Sequence, residues 1–137
     1  MAKETKKALP EEIAVQEINS WLDYKKIDDF QREQSEEHIK SMVSYMKSGN
    51  LVLNSDFSFT HILKFPIGQD SQTTEFVYKA RITEREISGK MHGIKADDGD
   101  GRLAAHIAAL SGQVLGMVKA MDKEDFKIAR SIALFFV

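Results

Sequence analysis

The loop Asp97–Gly101, with the sequence Asp-Asp-Gly-Asp-Gly, contains the oxygen ligands that a calcium site would use. An EF-hand loop needs such ligands at positions 1, 3 and 5, a glycine at position 6 and a glutamate at position 12. If the loop starts at Asp98, Arg102 occupies position 5 and Leu103 occupies position 6. The spacing therefore favours a solvated turn, in which Asp100 caps the next helix, over a metal site.

Histidines are the other residues that could bind a metal. The chain has four of them: His38, His61, His92 and His106. No two lie three or four residues apart, so none can form the helical pair that zinc sites use. His61 shares the apolar face of a predicted strand, which favours a hydrogen-bonded core or edge histidine over a ligand.

Patterns for nucleophilic or phosphate chemistry are absent from the sequence. There is no G-x-S-x-G elbow, and Ser111 does not follow a strand pattern. The glycines between Gly89 and Gly101 are not followed by Lys-Ser or Lys-Thr, as a phosphate-binding loop requires. The acidic pairs Glu11-Glu12, Asp28-Asp29 and Glu36-Glu37 stand where helix starts or linkers favour negative charge. We therefore predict a protein that is not an enzyme and has no cofactor.

Composition limits the partners. The 137 residues include 19 basic and 21 acidic side chains, so the net charge is −2 and the isoelectric point is about 6.1. That balance predicts no general attraction to nucleic acid or to an anionic membrane. The chain has no cysteine, no signal-peptide pattern and no apolar run near the roughly 20 residues that span a bilayer. These features predict a cytoplasmic protein whose first residues, Met1–Leu9, form a frayed tail.

Residues 1–50 are predicted to form an N-terminal helical arm. Pro10 suits the start of a helix that ends near Tyr24. Its apolar stripe is Val15, Ile18 and Leu22. Lys25–Gln34 is highly charged and predicts a linker or a solvated continuation of the helix. A second helix is capped by Ser35 and ended by Gly49. Its apolar stripe is Ile39, Met42, Val43 and Met46.

The middle of the chain changes to the two-residue period of strands. Alternation over Phe57–Phe65 predicts a strand that Pro66 ends. A second alternating run, Thr74–Ile82, completes a β-hairpin, and Leu51–Leu53 is short enough to be a third strand.

Helical spacing returns after the hairpin. Thr83 and Glu86 form a capping-box pattern, Gly112 breaks a helix, and Asp122 suits the cap of a last one. The stripe of that last helix is Phe126, Ala129, Ile132, Ala133 and Phe136. We predict an α+β fold in which residues 51–137 form a small antiparallel hairpin or three-stranded sheet packed against C-terminal helices, with the N-terminal helical arm added.

Several large side chains are candidates for binding a partner protein. Trp21 and Tyr24 lie near the end of the first helix, where they either dock on a partner or pack on the domain. Methionines adapt to irregular partner surfaces. The methionine candidates are Met42, Met46, Met117 and Met121. The apolar end at Phe135 and Phe136 is either buried or covered by a partner. A second copy of the chain is one such partner.

The chain from Phe59 onward resembles the phage tail assembly chaperone family of long, mainly contractile-tailed phages. In that family an apolar-Pro step ends one strand and an Arg lies near the end of the next. A short helix, a charged loop, a Leu-(Ser/Thr)-Gly step and a final helix ending in Phe follow. The corresponding segments here are Leu63–Pro66, Arg81–Thr83, Ile107–Gly112, Met121-Asp122, Asp125-Phe126 and Phe135-Phe136.

The resemblance implies a chaperone that binds the tape measure protein, the tail tube subunits or both in the host cytoplasm during tail assembly. A structural subunit of a phage tail or baseplate is the first alternative, and purified virions would contain it. The second alternative is a small regulatory or nucleic-acid adaptor protein, which would shift DNA mobility in a salt-sensitive way. The near-neutral charge argues against the adaptor.

Overall fold

Helices flank a small sheet in this protein, as the sequence predicts. The structure is a computed structural model that describes residues 8–70 and 72–137, so most of the predicted N-terminal tail lies outside the described residues. In chain order the described elements are α1 (Glu11–Tyr24), α2 (Asp29–Gln34), α3 (Glu36–Lys47), β1 (Leu51–Leu53), β2 (Phe59–Ile67), β3 (Thr73–Tyr78), α4 (Glu84–Lys90), α5 (Gly99–Ser111), α6 (Leu115–Lys119) and α7 (Lys123–Ala133). The α+β prediction is confirmed.

The N-terminal helices follow their predicted bounds, with one addition. α1 begins after Pro10 and ends at Tyr24. The charged segment that was predicted as a linker or a solvated continuation contains a separate short helix, α2. The Asp28 side chain caps it by accepting a hydrogen bond from the Gln31 amide at 2.8 Å. Ser35 precedes α3 without a capping hydrogen bond from its side chain.

The sheet is antiparallel, with the strand order β1-β2-β3. Leu51 pairs with His61, and His61 pairs with Phe76 on the other side. β2 runs through Pro66, contrary to the prediction that Pro66 ends it. The register of β2 against β3 shifts between Ile62 and Ile67, and an irregular ladder tolerates a residue that has no amide hydrogen.

Contacts with a helix end β3 earlier than its alternation predicts. The strand stops at Tyr78, whereas the apolar alternation continues to Ile82. The Lys79 amide donates to the Leu110 carbonyl of α5 at 2.9 Å, so the chain leaves the sheet to contact this helix.

Local capping rules account for most of the later helix ends. The capping box of Thr83 and Glu86 is present at α4, and the Asp122 side chain caps α7. Gly112 ends α5 with a φ of 70°, a left-handed conformation that glycine adopts without strain. The α5 cap is Asp98 and not the predicted Asp100, since the Asp98 carboxylate accepts from the Gly101 amide at 2.9 Å.

One cluster of buried apolar side chains joins the two ends of the chain. It includes Ile18 and Trp21 of α1, Phe59 of the sheet, Leu110 of α5 and Ile132 of α7. The core thus crosses the boundary that was predicted at residue 50. In the part of the chain that the structure describes, no helix is both long and apolar enough to cross a membrane.

Candidate functional site

A groove with an apolar floor lies among α1, α2 and α3. It encloses about 470 Å³. The floor is formed by Val15 and Ile18 of α1 and by Ile39 and Val43 of α3. Ile18 is buried, Ile39 and Val43 are half-buried, and Val15 is 39% exposed. Its charged lining residues are Glu11, Arg32, Glu36, Lys40 and Lys47.

The groove has an apolar floor because the apolar stripes of α1 and α3 are wider than the core contact. On α3, Met42 and Met46 are buried in the core, while Ile39 and Val43 lie on the same stripe and remain half-buried at the groove. On α1 the stripe likewise extends past the buried residues to Val15. Each helix therefore has more apolar surface than the core covers.

Hydrogen bonds fix two of the groove's charged groups. Arg32 donates from Nε to the Ile27 carbonyl at 2.9 Å and from Nη2 to Asp23 Oδ1 at 2.8 Å. Lys47 Nζ lies 2.8 Å from Glu11 Oε1 and links α3 to α1. The hydrogen bond from Lys47, and then its charge, lowers the pKa of Glu11. Charges of both signs thus surround an apolar floor.

Most of the side chains that were predicted to bind a partner lie inside the core. The buried ones are Trp21, Met42, Met46, Met121 and Phe135. Tyr24, Met117 and Phe136 are half-buried. The five buried side chains offer a partner no surface in this structure.

Trp21 follows the packing alternative and not the docking one. It is 1% exposed, and its ring centroid lies 5.0 Å from that of Phe59 and 5.5 Å from that of Phe135. Its indole Nε1 has no hydrogen-bond partner among the described residues. Tyr24 stacks on Phe57 at 4.3 Å between ring centroids, which fixes the end of α1 against the turn between β1 and β2.

A buried chain of three polar side chains connects the sheet to α7. His61 Nδ1 lies 2.7 Å from the Tyr78 hydroxyl, and His61 Nε2 lies 3.2 Å from Asp125 Oδ1. Asp125 also accepts from the Lys64 amide and the Phe65 amide, both at 3.0 Å. These two amides belong to the stretch where the β2–β3 register shifts, so the carboxylate serves backbone donors at the irregular part of the sheet.

The protonation states of this network follow from burial and hydrogen bonding. Burial lowers the pKa of His61 below 6.5, against the opposing effect of Asp125. Burial alone would raise the pKa of Asp125, but the hydrogen bonds from His61, Lys64 and Phe65 outweigh it and lower that pKa. A neutral imidazole that donates from Nε2 to an ionised Asp125 and accepts at Nδ1 from Tyr78 satisfies all three groups.

This network resembles a proton relay in its order of groups, yet its burial favours a structural role. His61, Tyr78 and Asp125 are all at most 1% exposed, so a substrate cannot reach them. His61 was predicted to be a hydrogen-bonded core or edge histidine, and it lies in the core. Within residues 8–70 and 72–137, no three histidine, aspartate or glutamate side chains are grouped so that they could bind a metal ion.

The groove residues were not predicted as a site, although they belong to the predicted apolar stripes. Val15, Ile39 and Val43 were assigned to stripes, and stripes are ordinarily buried. The width of each apolar stripe could have indicated the site. α1 and α3 each have more apolar positions than a single helix contact can bury. Sequence alone does not tell which side of a wide stripe stays open.

In comparisons with known proteins, no protein family, no curated protein and no solved structure matches this chain. The residues and their geometry are therefore the basis for function.

Proposed function

We propose that this chain is a non-enzymatic phage tail assembly chaperone that binds an amphipathic helix of the tape measure protein in the groove among α1, α2 and α3. The apolar floor inside a charged lining is the observation that carries the proposal. The motif resemblance from Phe59 onward supports it and supplies the partner's class. The protein acts in the host cytoplasm before the tail tube forms, and tail tube subunits are a second class of partner.

The groove suits a helix better than a compact ligand. An amphipathic helix presents apolar side chains at positions i, i+3, i+4 and i+7, and such anchors fit an apolar groove between helices. Val15, Ile39 and Val43 can cover those anchors, and about 25 cal/mol is gained for each Å² of apolar surface removed from water. Charged groups of both signs at the groove can pair with the polar flanks of the partner helix, which favours one register.

The decisive experiment compares two valine variants. Val15→Lys places a charge in the groove, whereas Val114→Lys places the same charge at a site outside it that is 65% exposed. Both sites are solvent-accessible, so both variants are expected to keep melting temperatures within a few degrees of the wild type. Each variant is co-expressed with the tape measure protein from the same phage genome, and its affinity for tape measure fragments is measured by fluorescence anisotropy.

We expect Val15→Lys to lose at least tenfold in affinity and Val114→Lys to bind like the wild type. Equal binding by both variants would rule out the groove as the binding site.

Mass spectrometry of infected cells and of purified virions tests the chaperone role separately. A chaperone is abundant in the cells and missing from the particles, whereas a stoichiometric presence in virions would make the chain a structural subunit.

A further inference from the structure

Two cationic side chains share a small pocket on another part of the molecule. Lys25, at the end of α1, and Arg81, between β3 and α4, line it together with Ile82 and Phe136. The pocket encloses about 340 Å³. Glu84 and Val137 also line the pocket.

The aromatic residues hold the Lys25 side chain in place. Lys25 is the C-terminal cap residue of α1, and its amide donates to the Trp21 carbonyl at 3.0 Å. Its Nζ lies 3.4 Å from the ring centroid of Phe136 and 5.7 Å from that of Trp21. A cation over aromatic faces is attracted by their quadrupoles, so the ammonium has a defined position at the pocket.

Two positive charges share this pocket. Burial, and then the charge of Arg81, lowers the pKa of Lys25 from 10.5 to about 8. The amine is therefore still mostly protonated at pH 7, and both groups are cationic. Among the residues that the structure describes, no carboxylate lies within 4.0 Å of either cation. Glu84 lines the pocket but forms no ion pair with Lys25 or Arg81. The free energy of this repulsion falls when an anion enters between the two cations.

We infer that Lys25 and Arg81 form a binding site for an oxyanion, either a carboxylate or a phosphate, with Phe136 and Ile82 as its apolar wall. The planar Arg81 guanidinium can donate two parallel hydrogen bonds to two oxygens of the anion. Lys25 contributes a point charge from the end of α1.

Side-chain amine resonances of lysine provide a direct test in the intact protein. Inorganic phosphate, acetate and hexanoate are added in turn at pH 7 and constant ionic strength, with chloride as the exchanged anion. The Lys25 resonance is expected to shift and saturate at millimolar anion. Lys26 is the matched control, because it is the adjacent residue and is exposed. Its resonance is expected to change only with bulk conditions.

The variant Arg81→Gln completes the test. Arg81 is exposed, so the variant is expected to fold, and its anion affinity is expected to fall at least tenfold. The pKa of Lys25 is expected to rise in this variant because the repulsion from Arg81 is removed. Tighter binding of phosphate would identify a phosphate site, and tighter binding of hexanoate than of acetate would identify a carboxylate beside an apolar group. A shift without saturation, an equal response of Lys26, or unchanged affinity in Arg81→Gln would overturn the inference.

Discussion

The Asp125 carboxylate lies in the core, where an ionised group costs free energy unless hydrogen bonds replace its hydration. His61 and the amides of Lys64 and Phe65 supply them. Each of these donors would in turn lose its partner if the carboxylate were removed. The residue therefore stabilises the contact between α7 and β2, although burying a charge is not by itself favourable.

Replacing Asp125 with alanine is expected to destabilise the protein by about 3–5 kcal/mol, since the change breaks a buried hydrogen-bonded network. Glu124→Gln is the matched control. Glu124 is the exposed neighbour in the same turn of α7, and its replacement is expected to change stability by at most about 0.5 kcal/mol. Chemical denaturation followed by circular dichroism measures both. Equal stability of the two variants would contradict the structural role of the network.

Acid is expected to destabilise the protein in a range that His61 sets. The pKa of His61 is lower in the folded state than the ordinary 6.5, so the unfolded chain binds more protons below pH 6.5 and stability falls as the pH drops. The slope for one site is at most about 1.4 kcal/mol per pH unit. His38, whose pKa is lowered by burial and then by Arg130, contributes with the same sign. Asp125 adds a further loss below pH 3.8.

The variant His61→Gln isolates this contribution. It is expected to be less stable than the wild type at pH 7, yet to lose stability less steeply between pH 6.5 and 5 because one site no longer titrates. The remaining slope comes from His38 and other groups. Melting temperatures measured across this pH range test the expectation, with the exposed His92→Gln as control. If the slope of stability against pH is unchanged in His61→Gln, His61 takes up no proton when the protein unfolds.

Two glycines in the first turn of α5, Gly99 and Gly101, have different surroundings. A Cβ on Gly101 would clash with the Asp98 carboxylate that caps the helix, whereas a Cβ on Gly99 would meet nothing within 4 Å. Gly101→Ala is therefore expected to cost about 1 kcal/mol through the lost cap. Gly99→Ala is expected to gain about 0.5–1 kcal/mol, because alanine loses less chain entropy on folding. Thermal melts of the two variants should move in opposite directions.

The ends of helices were predictable where residues within one turn of the end determine it. Thr83 with Glu86, and Gly112, act within one helical turn, and both are found as predicted. Distant contacts decide the other ends. β2 passes Pro66 where the β2–β3 register is irregular and Asp125 serves nearby amides, and β3 stops where Lys79 bonds Leu110 of α5. No local pattern contains those partners, so the sequence could not indicate them.

For the molecule as a whole, the shared core predicts that α1 is needed for folding. Removing residues 1–34 would expose the surfaces that Ile18, Trp21 and Leu22 cover. We expect the shortened chain to lose its cooperative unfolding transition in circular dichroism. A stable, cooperatively folding product would show instead that residues 35–137 fold without α1 and α2.

Point variants check the same conclusion without a truncation. Leu22→Ala creates a cavity in the core and is expected to cost about 2–5 kcal/mol. Ile13→Ala changes an exposed position of the same helix and is expected to cost much less. Equal effects would mean that α1 contributes little to the core.

The candidate site was predictable only in part from the same patterns. Helical periodicity correctly identified the apolar positions of α1 and α3. It did not indicate that Trp21 and Met46 face the core while Val15 remains open, because that depends on how α1 and α3 sit against the sheet and α7. Periodicity locates a stripe on a helix, and the packing of the other elements decides how much of it is covered.

The hydrogen bonds of Asp125 also make two amides into reporters of helix docking. The Lys64 and Phe65 amides are bonded to a side chain on α7, about 60 positions later in the chain. Hydrogen exchange at an amide requires its bond to open, so these two exchange whenever α7 separates from β2, even if the rest of the sheet stays paired. The Thr60 and His61 amides, inside the paired region of β2, provide the reference. Faster exchange at Lys64 and Phe65 than at the reference amides would give the free energy of undocking α7 alone.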